Sequence, residues 1–226
     1  YGIRHLLLAS RRGPEAPGAH ELHQRLTHLG ATVRIVACDS ADPTQLGALL
    51  DTIPHHHRLT AVIHTAAVLH DAVINDMTTQ QLDTVLTAKA DTAWHLDRLT
   101  THHNLAAFVM FSSAAAILGA PGQANYAAAN AVLDALAHQR RHHHQPATSL
   151  AWGYWHTPSA MTAHLQTQDL ARIHTSGLTP ITTEQGLALF DAALTHQQPH
   201  LIPAPINPAA LARQARHHHL PTILSA

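Results

Sequence analysis

Short apolar runs alternate with longer amphipathic stretches along the 226 residues of this chain. The first run, residues 4–10, lacks the polar alternation of a half-exposed strand, which is typical of a strand buried on both faces of a parallel sheet. Turns rich in glycine, proline and aspartate separate the runs. The pattern predicts strands at residues 4–10, 32–37, 59–64, 106–111 and 148–152, and a short one near Leu201.

The amphipathic stretches predict helices, because their hydrophobic residues recur at intervals of three and four. The first carries Leu22, Leu26 and Leu29 and ends at Gly30. Strands and helices that alternate at this spacing predict an α/β fold with a doubly wound parallel sheet, in which ligands bind at the carboxyl ends of the strands. The other predicted helices are 44–50, 78–99, 123–142 and 183–195.

The hydrophobic pattern weakens twice in the second half of the chain. Residues 153–177 are mostly polar and predict a mobile cover over a site. Three prolines between positions 203 and 208 predict the end of a single domain that spans residues 1–208. Residues 209–226 are predicted to form a C-terminal helix or linker.

Composition and charge exclude several classes of protein. With 46% hydrophobic residues and a formal net charge of −1, the chain can bury a core but lacks the positive charge of a phosphate-neutralising nucleic-acid binder. Its most apolar stretch, Leu105–Ala120, contains two serines and is shorter than the roughly 20 residues of a membrane span. Cys38 is the only cysteine, so no intramolecular disulfide can form. We expect a cytoplasmic protein that binds neither nucleic acid nor membrane.

Two residue counts bear on the chemistry. The 24 histidines include triplets at 55–57, 142–144 and 217–219, but no cysteine or carboxylate accompanies them at metal-ligand spacing, so no metal site is predicted. Lys89 is the only lysine among 13 basic residues. This indicates a position where neither arginine nor histidine can serve.

Four side chains lie at or after strand ends, where such a fold binds its ligands. Ser113 follows the fourth strand, Lys89 lies on the helix after the third, and Tyr126 and Asn130 share one helix face because they are four residues apart. Singly, each has an ordinary interpretation as a turn cap, a helix residue or a solvated cation. Together they can protonate a carbonyl, since an ammonium lowers the pKa of a phenol and a hydroxyl stabilises developing negative charge. Hydride must come from a cofactor, because no side chain supplies one.

The segment FSSAAAILGAPGQANYAAANAVLDALA, Phe111–Ala137, is the most specific motif of the chain. It resembles the active-site segment of the ketoreductase domains of modular polyketide synthases, which belong to the short-chain dehydrogenase/reductase superfamily. Ordinary members of that superfamily carry Tyr-x-x-x-Lys, whereas here Asn130 stands at the lysine position and Lys89 supplies the amine. Further matching segments are Leu6–Gly13, Ala37–Asp42, Val62–Ile74, Ala88–Thr100, Leu150–Trp155 and Ser176–Leu194.

The resemblance implies catalytic roles. Tyr126 is then the proton donor, and Ser113 is its partner on the substrate carbonyl. Lys89 perturbs the tyrosine and contacts the cofactor ribose, and Asn130 completes the tetrad.

The resemblance also implies NADPH as the cofactor. Arg11 and Arg12 follow the first strand, where an acidic residue would bind a free ribose hydroxyl and arginines bind a 2′-phosphate. The full set of expected cofactor contacts is Ser10, Arg11, Arg12, Asp39, Ser40, Ala66, Ala67, Lys89 and Tyr126.

Stereochemistry is expected from the loop after the third strand. It reads Leu69-His70-Asp71, a partial match to the Leu-Asp-Asp of relatives that form the D-hydroxyl, and Leu118 replaces the tryptophan of the opposite class. We therefore predict the D (B-type) product. The expected substrate and stereocontrol residues are Leu69, Asp71, Leu118, Gln123, Trp155 and Met161.

One motif of the family is absent from the 226 residues. Such domains begin with a strand and a G-x-G-x-x-G turn whose amides hold the pyrophosphate, and Tyr1 corresponds to the end of the helix that follows that turn. The resemblance thus implies a doubly wound sheet without its first βα unit, whose strand lies in the middle of the sheet. We expect this chain on its own to bind NADPH poorly and to fold marginally.

The leading functional hypothesis is NADPH-dependent reduction of a β-ketoacyl thioester that an acyl carrier protein holds on its phosphopantetheine arm. The other domains of a polyketide synthase are then its partners. A catalytically inactive remnant with a structural role is the main alternative, since the tetrad is complete but the glycine turn is absent. A free-standing dehydrogenase of small alcohols is disfavoured by Asn130 and the linker-like tail.

Overall fold

The computed structural model of the protein describes residues 2–156, 177–216 and 222–224. Its strands are β1 (His5–Ser10), β2 (Thr32–Ala37), β3 (Ala61–His64), β4 (Ala107–Ser113), β5 (Thr148–Trp152) and β6 (His200–Leu201). Its helices are α1 (Ala19–His28), α2 (Pro43–Asp51), α3 (Thr79–Leu86), α4 (Thr92–Thr100), α5 (Ala115–Leu118), α6 (Ala124–His142), α7 (Thr183–Ala193) and α8 (Pro208–Arg216).

All strand pairs are parallel, which confirms the predicted α/β class. They form two sheets: β1 pairs with β2, and the other four follow in the order β3-β4-β5-β6. The unpaired edges of β1 and β3 line a common cavity of about 770 Å³. This cavity lies where the sequence analysis expects a further central strand.

The core lies around β4, whose side chains alternate between two helical layers. Phe108 and Met110 are buried with residues of α4 and α6, whereas Val109 packs with residues of β5 and α7. Every residue of β5 is buried. The predicted cover on both faces of the sheet is therefore present at β4 and β5.

The prediction that the first strand is buried on both faces is wrong, because no residue of β1 is buried. Its central leucines are half-exposed because β1 has only one neighbouring strand, β2, and its other edge faces the cavity. The turn after β1 is tight: Gly13 has a positive φ of 50°, and a Cβ there would overlap the Ala37 backbone. Glycine is required at this position because it has neither the steric restriction on φ nor the Cβ.

The long predicted helix 78–99 is interrupted by one wide turn. Thr78 caps α3, accepting from the Gln81 amide at 3.2 Å, while the Gln81 side chain accepts from the Thr78 amide at 2.9 Å. A π-helical turn, Thr87–Asp91, then separates α3 from α4. Such turns occur frequently at functional sites, and this one carries Lys89.

Helix α6 is fixed to the sheet near its far end. The guanidinium of Arg140 forms an ion pair with Asp97 and lies 4.0 Å from the centre of the Phe108 ring. This buried pairing sets the position of α6 across β4, and so the position of the residues at its first turn. No helix among the described residues is long and apolar enough to cross a membrane.

Candidate active site

Lys89 lies inside the protein, with only 2% of its surface exposed. Its amine donates to the main-chain carbonyl of Phe111 at 2.8 Å and lies 5.4 Å from the centre of the Tyr126 ring. Burial lowers the pKa of Lys89 to about 8, against an opposing effect from Asp134. The sole lysine is thus held beside the predicted proton donor rather than in solvent.

Tyr126 occupies the first turn of α6 and is 8% exposed. Burial raises the pKa of its phenol, the side chains of Asn130 and Ser113 act to lower it, and Asp71 raises it. The sequence analysis expects the Lys89 ammonium to lower the pKa of this phenol, but the net shift is upward. The Lys89 amine faces the ring and is engaged by a carbonyl of β4, so burial dominates.

Asn130 is completely buried one turn further along α6. Its amide nitrogen donates to the main-chain carbonyl of Tyr126 at 2.7 Å, while its Oδ1 has no partner among the described residues. Ser113 ends β4, and its Oγ accepts from the Ala115 amide at 3.2 Å. The serine therefore serves as a turn cap and also lies close enough to influence the phenol of Tyr126.

The cavity between β1 and β3 collects most of the predicted cofactor residues at the carboxyl ends of the strands. Arg12, Lys89 and Tyr126 do not line it. The six predicted residues that do are Ser10, Arg11, Asp39, Ser40, Ala66 and Ala67.

The arginines after β1 are exposed. The Ser10 hydroxyl accepts from the Gly13 amide at 3.0 Å, which holds the turn that carries them. Neither Arg11 nor Arg12 forms an ion pair with an acidic residue in the described part of the chain. Arg11 lines the cavity and Arg12 is the next residue along the chain, and guanidiniums without an acidic partner suit a phosphate.

These residues fit one end of a dinucleotide. The cavity of about 770 Å³ is lined by Arg11, Asp39 and Ser40, and the buried Oδ1 of Asn130 is an acceptor without a partner among the described residues. The 226 residues contain no glycine-rich turn for the pyrophosphate. The fit is therefore to the nucleotide end of the cofactor and does not extend to its pyrophosphate.

A clasp joins the loop after β3 to the start of α6. Gln123 donates to the Asp71 carboxylate at 2.9 Å, and the Ala72 amide donates to the Gly122 carbonyl at 2.9 Å. Leu69 packs against the cluster that contains Tyr126. The structure thus brings three predicted stereocontrol residues, Leu69, Asp71 and Gln123, to the mouth of the site.

The other predicted stereocontrol residues are more dispersed. Leu118 ends α5 and is half-buried. The ring of Trp155 lies 4.8 Å from that of Trp152 and packs on α7, where a Cβ at Gly186 would overlap it. Met161, and most of the predicted cover at 153–177, lie outside the described residues.

Sequence reasoning missed two buried residues that organise the site. Asn125 is completely buried and donates to the carbonyls of His70 at 2.9 Å and Gln81 at 3.3 Å, while its own carbonyl accepts from the Tyr126 amide. His64, at the end of β3, contacts the Lys89 carbonyl at 2.9 Å. The sequence offers one signal for Asn125, its position directly before Tyr126, and none for His64.

Comparison with known proteins shows the family of the chain. Residues 1–157 match the family model described as the KR domain. The chain is 55% identical over 225 residues to polyketide synthase GfsB of Streptomyces halstedii, covering 100% of this chain and 4% of the relative. It is 53% identical over 222 residues to the spectinabilin polyketide synthase protein NorB of Streptomyces orinoci, covering 98% and 10%.

A solved structure of A-type ketoreductases from a modular polyketide synthase is also similar. It superposes with a TM-score of 0.84 at 42% identity, over 92% of this chain and 44% of that one. The chain therefore spans less than half of the solved chain and a small fraction of the synthases that it matches.

Proposed function

The chain belongs to the KR-domain family of modular polyketide synthases, whose members are oxidoreductases, and we propose that it reduces a β-ketoacyl thioester to the β-hydroxyacyl thioester with NADPH. The observation that carries this proposal is the buried Lys89 amine, 5.4 Å from the ring of Tyr126. Burying a cation costs free energy. Because this cation lies beside the only buried tyrosine among the described residues, a role in the chemistry of that tyrosine explains why it is buried.

Tyr126 acts as the proton donor. Because burial raises the pKa of its phenol, the group is protonated at neutral pH. A reductase needs such an acid, which keeps its proton until negative charge develops on the substrate oxygen. The Lys89 ammonium then stabilises the phenolate that remains.

Ser113 and Asn130 complete the site. The Ser113 hydroxyl donates to the same substrate oxygen and spreads the developing charge. Asn130 fixes the first turn of α6 through the Tyr126 carbonyl and keeps a buried acceptor, Oδ1, that has no partner among the described residues.

NADPH supplies the hydride when it is bound. In this proposal Arg11 and Arg12 hold the 2′-phosphate, and the side chains of Asp39 and Ser40 border the adenine. Ala66 and Ala67, at the end of β3, leave room for the cofactor to reach the tetrad. The exposed position of both arginines supports NADPH over NADH.

The proposed product has the D configuration. Support comes from Leu69, which packs against the Tyr126 cluster, and from Asp71, which holds Gln123 at the mouth of the site. The position eight residues before Tyr126 holds Leu118 rather than tryptophan. The similar solved structure is of A-type ketoreductases, so an L product is the alternative that chiral analysis must exclude.

The proposed substrate is carried by an acyl carrier protein. Its support is family membership, because the relatives are long polyketide synthases of which this chain matches a small part. The phosphopantetheine arm would then deliver the carbonyl to Tyr126, and the other synthase domains would be covalent or docked neighbours.

The test is NADPH oxidation with a soluble β-ketoacyl thioester. It is followed by absorbance in this chain and in a longer chain that also contains a strand and a glycine-rich turn. We expect turnover in the longer chain and loss of turnover on substitution of Tyr126. A folded longer chain that binds NADPH but reduces no β-ketoacyl thioester would instead favour the inactive remnant.

A further inference from the structure

His64 differs from every other described histidine because it is buried, with 3% of its surface exposed. It ends β3, and its ring nitrogen Nε2 lies 2.9 Å from the main-chain carbonyl oxygen of Lys89. A carbonyl can only accept, so Nε2 carries the hydrogen and donates. The imidazole thus joins the sheet to the turn that carries the only lysine.

The turn that carries Lys89 needs such support. In the π-helical turn Thr87–Asp91, the Thr92 amide is shared between the carbonyls of Lys89 and Thr87. A shared donor satisfies each acceptor only in part. The histidine supplies the Lys89 carbonyl with a second donor, which a carbonyl oxygen with two lone pairs accommodates.

Two contacts therefore hold the two ends of Lys89. Its carbonyl is held by His64 of β3 and its amine by the Phe111 carbonyl of β4. Since β3 and β4 are paired in register, with His64 opposite Met110, these anchors have a fixed separation. The lysine is held at its main chain by β3 and at its amine by β4, and its side chain cannot turn outward while both contacts persist.

We propose that His64 is a positioning residue that holds Lys89 beside Tyr126 by donating a hydrogen bond to the Lys89 main-chain carbonyl. The inference rests on the proposed function for its catalytic meaning, but its structural content is independent of activity. Burial and the nearby lysine keep the imidazole neutral, lowering the pKa of His64 to about 4 despite the opposing hydrogen bond to the Lys89 carbonyl. The donor is consequently present throughout the neutral range.

The only lysine of the chain provides a direct test. Isotopic labelling of lysine gives a single side-chain amine signal by NMR, whose titration midpoint reports the environment of Lys89. The wild-type midpoint is expected at about 8. In His64→Leu the donor is lost and the amine is released toward solvent, so the midpoint rises by about one unit or more toward the ordinary value.

Two further variants separate positioning from general damage. His64→Gln keeps an N–H donor at a similar distance along the side chain and should retain the lowered midpoint. Val62→Ala removes buried volume from the same strand but leaves the His64 donor in place, and should destabilise the fold without moving the midpoint. A His64→Leu midpoint equal to that of wild type, or an equal rise in Val62→Ala, overturns the inference.

Activity measurements on the same variants, made in the longer chain that contains a strand and a glycine-rich turn, distinguish this inference from the proposed function. A lowered, His64-dependent midpoint in a protein that binds NADPH but reduces no β-ketoacyl thioester contradicts only the function. Turnover with a midpoint that is insensitive to His64 contradicts only the inference. An ordinary wild-type midpoint contradicts the buried lysine on which both depend.

Discussion

The amine of Lys89 lies over the ring of Tyr126, 5.4 Å from its centre, although the two residues belong to different helical segments. The contact depends on β4, whose Phe111 carbonyl accepts from that amine. A strand end therefore fixes the cation, and the first turn of α6 fixes the phenol. Because different elements hold the two groups, substitution of Tyr126 and substitution of Lys89 should have different effects, the first on activity and the second on the pH dependence of stability.

Tyr126→Phe is expected to lower kcat by about 10²- to 10⁴-fold, the usual contribution of a general acid. The ring and its packing remain, so the melting temperature should change little. The assay is NADPH oxidation with a β-ketoacyl thioester beside thermal unfolding. Tyr154→Phe is the matched control and should retain activity; equal losses in both variants would remove Tyr126 from its proposed role.

Lys89→Met is expected to change how stability depends on pH. The folded-state pKa of Lys89, about 8, is below the ordinary 10.5, so the unfolded chain binds more protons between these values. Stability of the wild type should therefore gain about 3 kcal/mol from this group as pH rises from 8 to 10.5. The methionine variant has no amine, so its free energy of unfolding, measured in denaturant titrations at several pH values, should lack that gain. The same pH dependence of unfolding free energy in both proteins would contradict the prediction.

Arg11→Ala combined with Arg12→Ala is expected to lower the preference for NADPH over NADH by about 10-fold or more, because charge-assisted contacts to a phosphate contribute roughly 1.5–3 kcal/mol. The measurement is the ratio of kcat/KM for the two cofactors in a chain that binds them. Arg25→Ala, an exposed arginine on α1, is the control. An unchanged ratio in the double variant would mean that another group reads the 2′-phosphate.

Asp71→Ala is expected to reduce the excess of the D-alcohol, because it releases Gln123 from the clasp at the mouth of the site. Gln123→Ala should have a similar effect, and the double variant should add little, since both remove one hydrogen bond. Chiral chromatography of the reduced thioester gives the result, with Asp76→Ala as a control in the same loop. An L product from the wild type would refute the B-type proposal.

The sequence predicted the positions of most strands and helices because their hydrophobic residues recur at regular intervals. Strands β4 and β5 and helix α6 lie within one or two residues of their predicted limits. The exposure of β1 was not foreseen, since an apolar run shows what a strand can bury and not whether its neighbours are present. The wide turn at Lys89 has no sequence signal, because π-helical turns depend on tertiary contacts.

The residues of the candidate site also fall into two groups, those that the sequence predicted and those that it missed. Local spacing and a specific motif predicted Tyr126, Asn130 and Ser113. Lys89 was predicted because it is the only lysine of the chain. Residues that act through main-chain groups were missed: the side chain of His64 meets a carbonyl, and that of Asn125 meets two carbonyls and an amide. One histidine among 24 cannot be distinguished by composition; only the fold shows that it is buried.

The cavity between β1 and β3 leads to a final prediction, on cofactor affinity. Two parallel edges line it, and Ile63 on β3 is 52% exposed there. A strand between two others needs neighbours roughly 4.7–4.9 Å away on each side, and an apolar strand in this cavity would cover Ile63. The 226-residue chain alone is therefore expected to be marginally stable and to bind NADPH more weakly than micromolar, as isothermal titration would show.

Adding an apolar strand that leads into a glycine-rich turn should raise both the melting temperature and the NADPH affinity, the latter by at least about 10-fold, because the turn supplies main-chain amides for the pyrophosphate. Ile63→Asp is the discriminating variant: it places a charge on the cavity wall and should abolish the gain from the added strand while altering the chain alone very little. A proline in the middle of the added strand removes a ladder donor and should act in the same direction. Micromolar NADPH binding by the 226 residues alone would contradict the prediction, since the cavity would then have no bearing on how the cofactor is held.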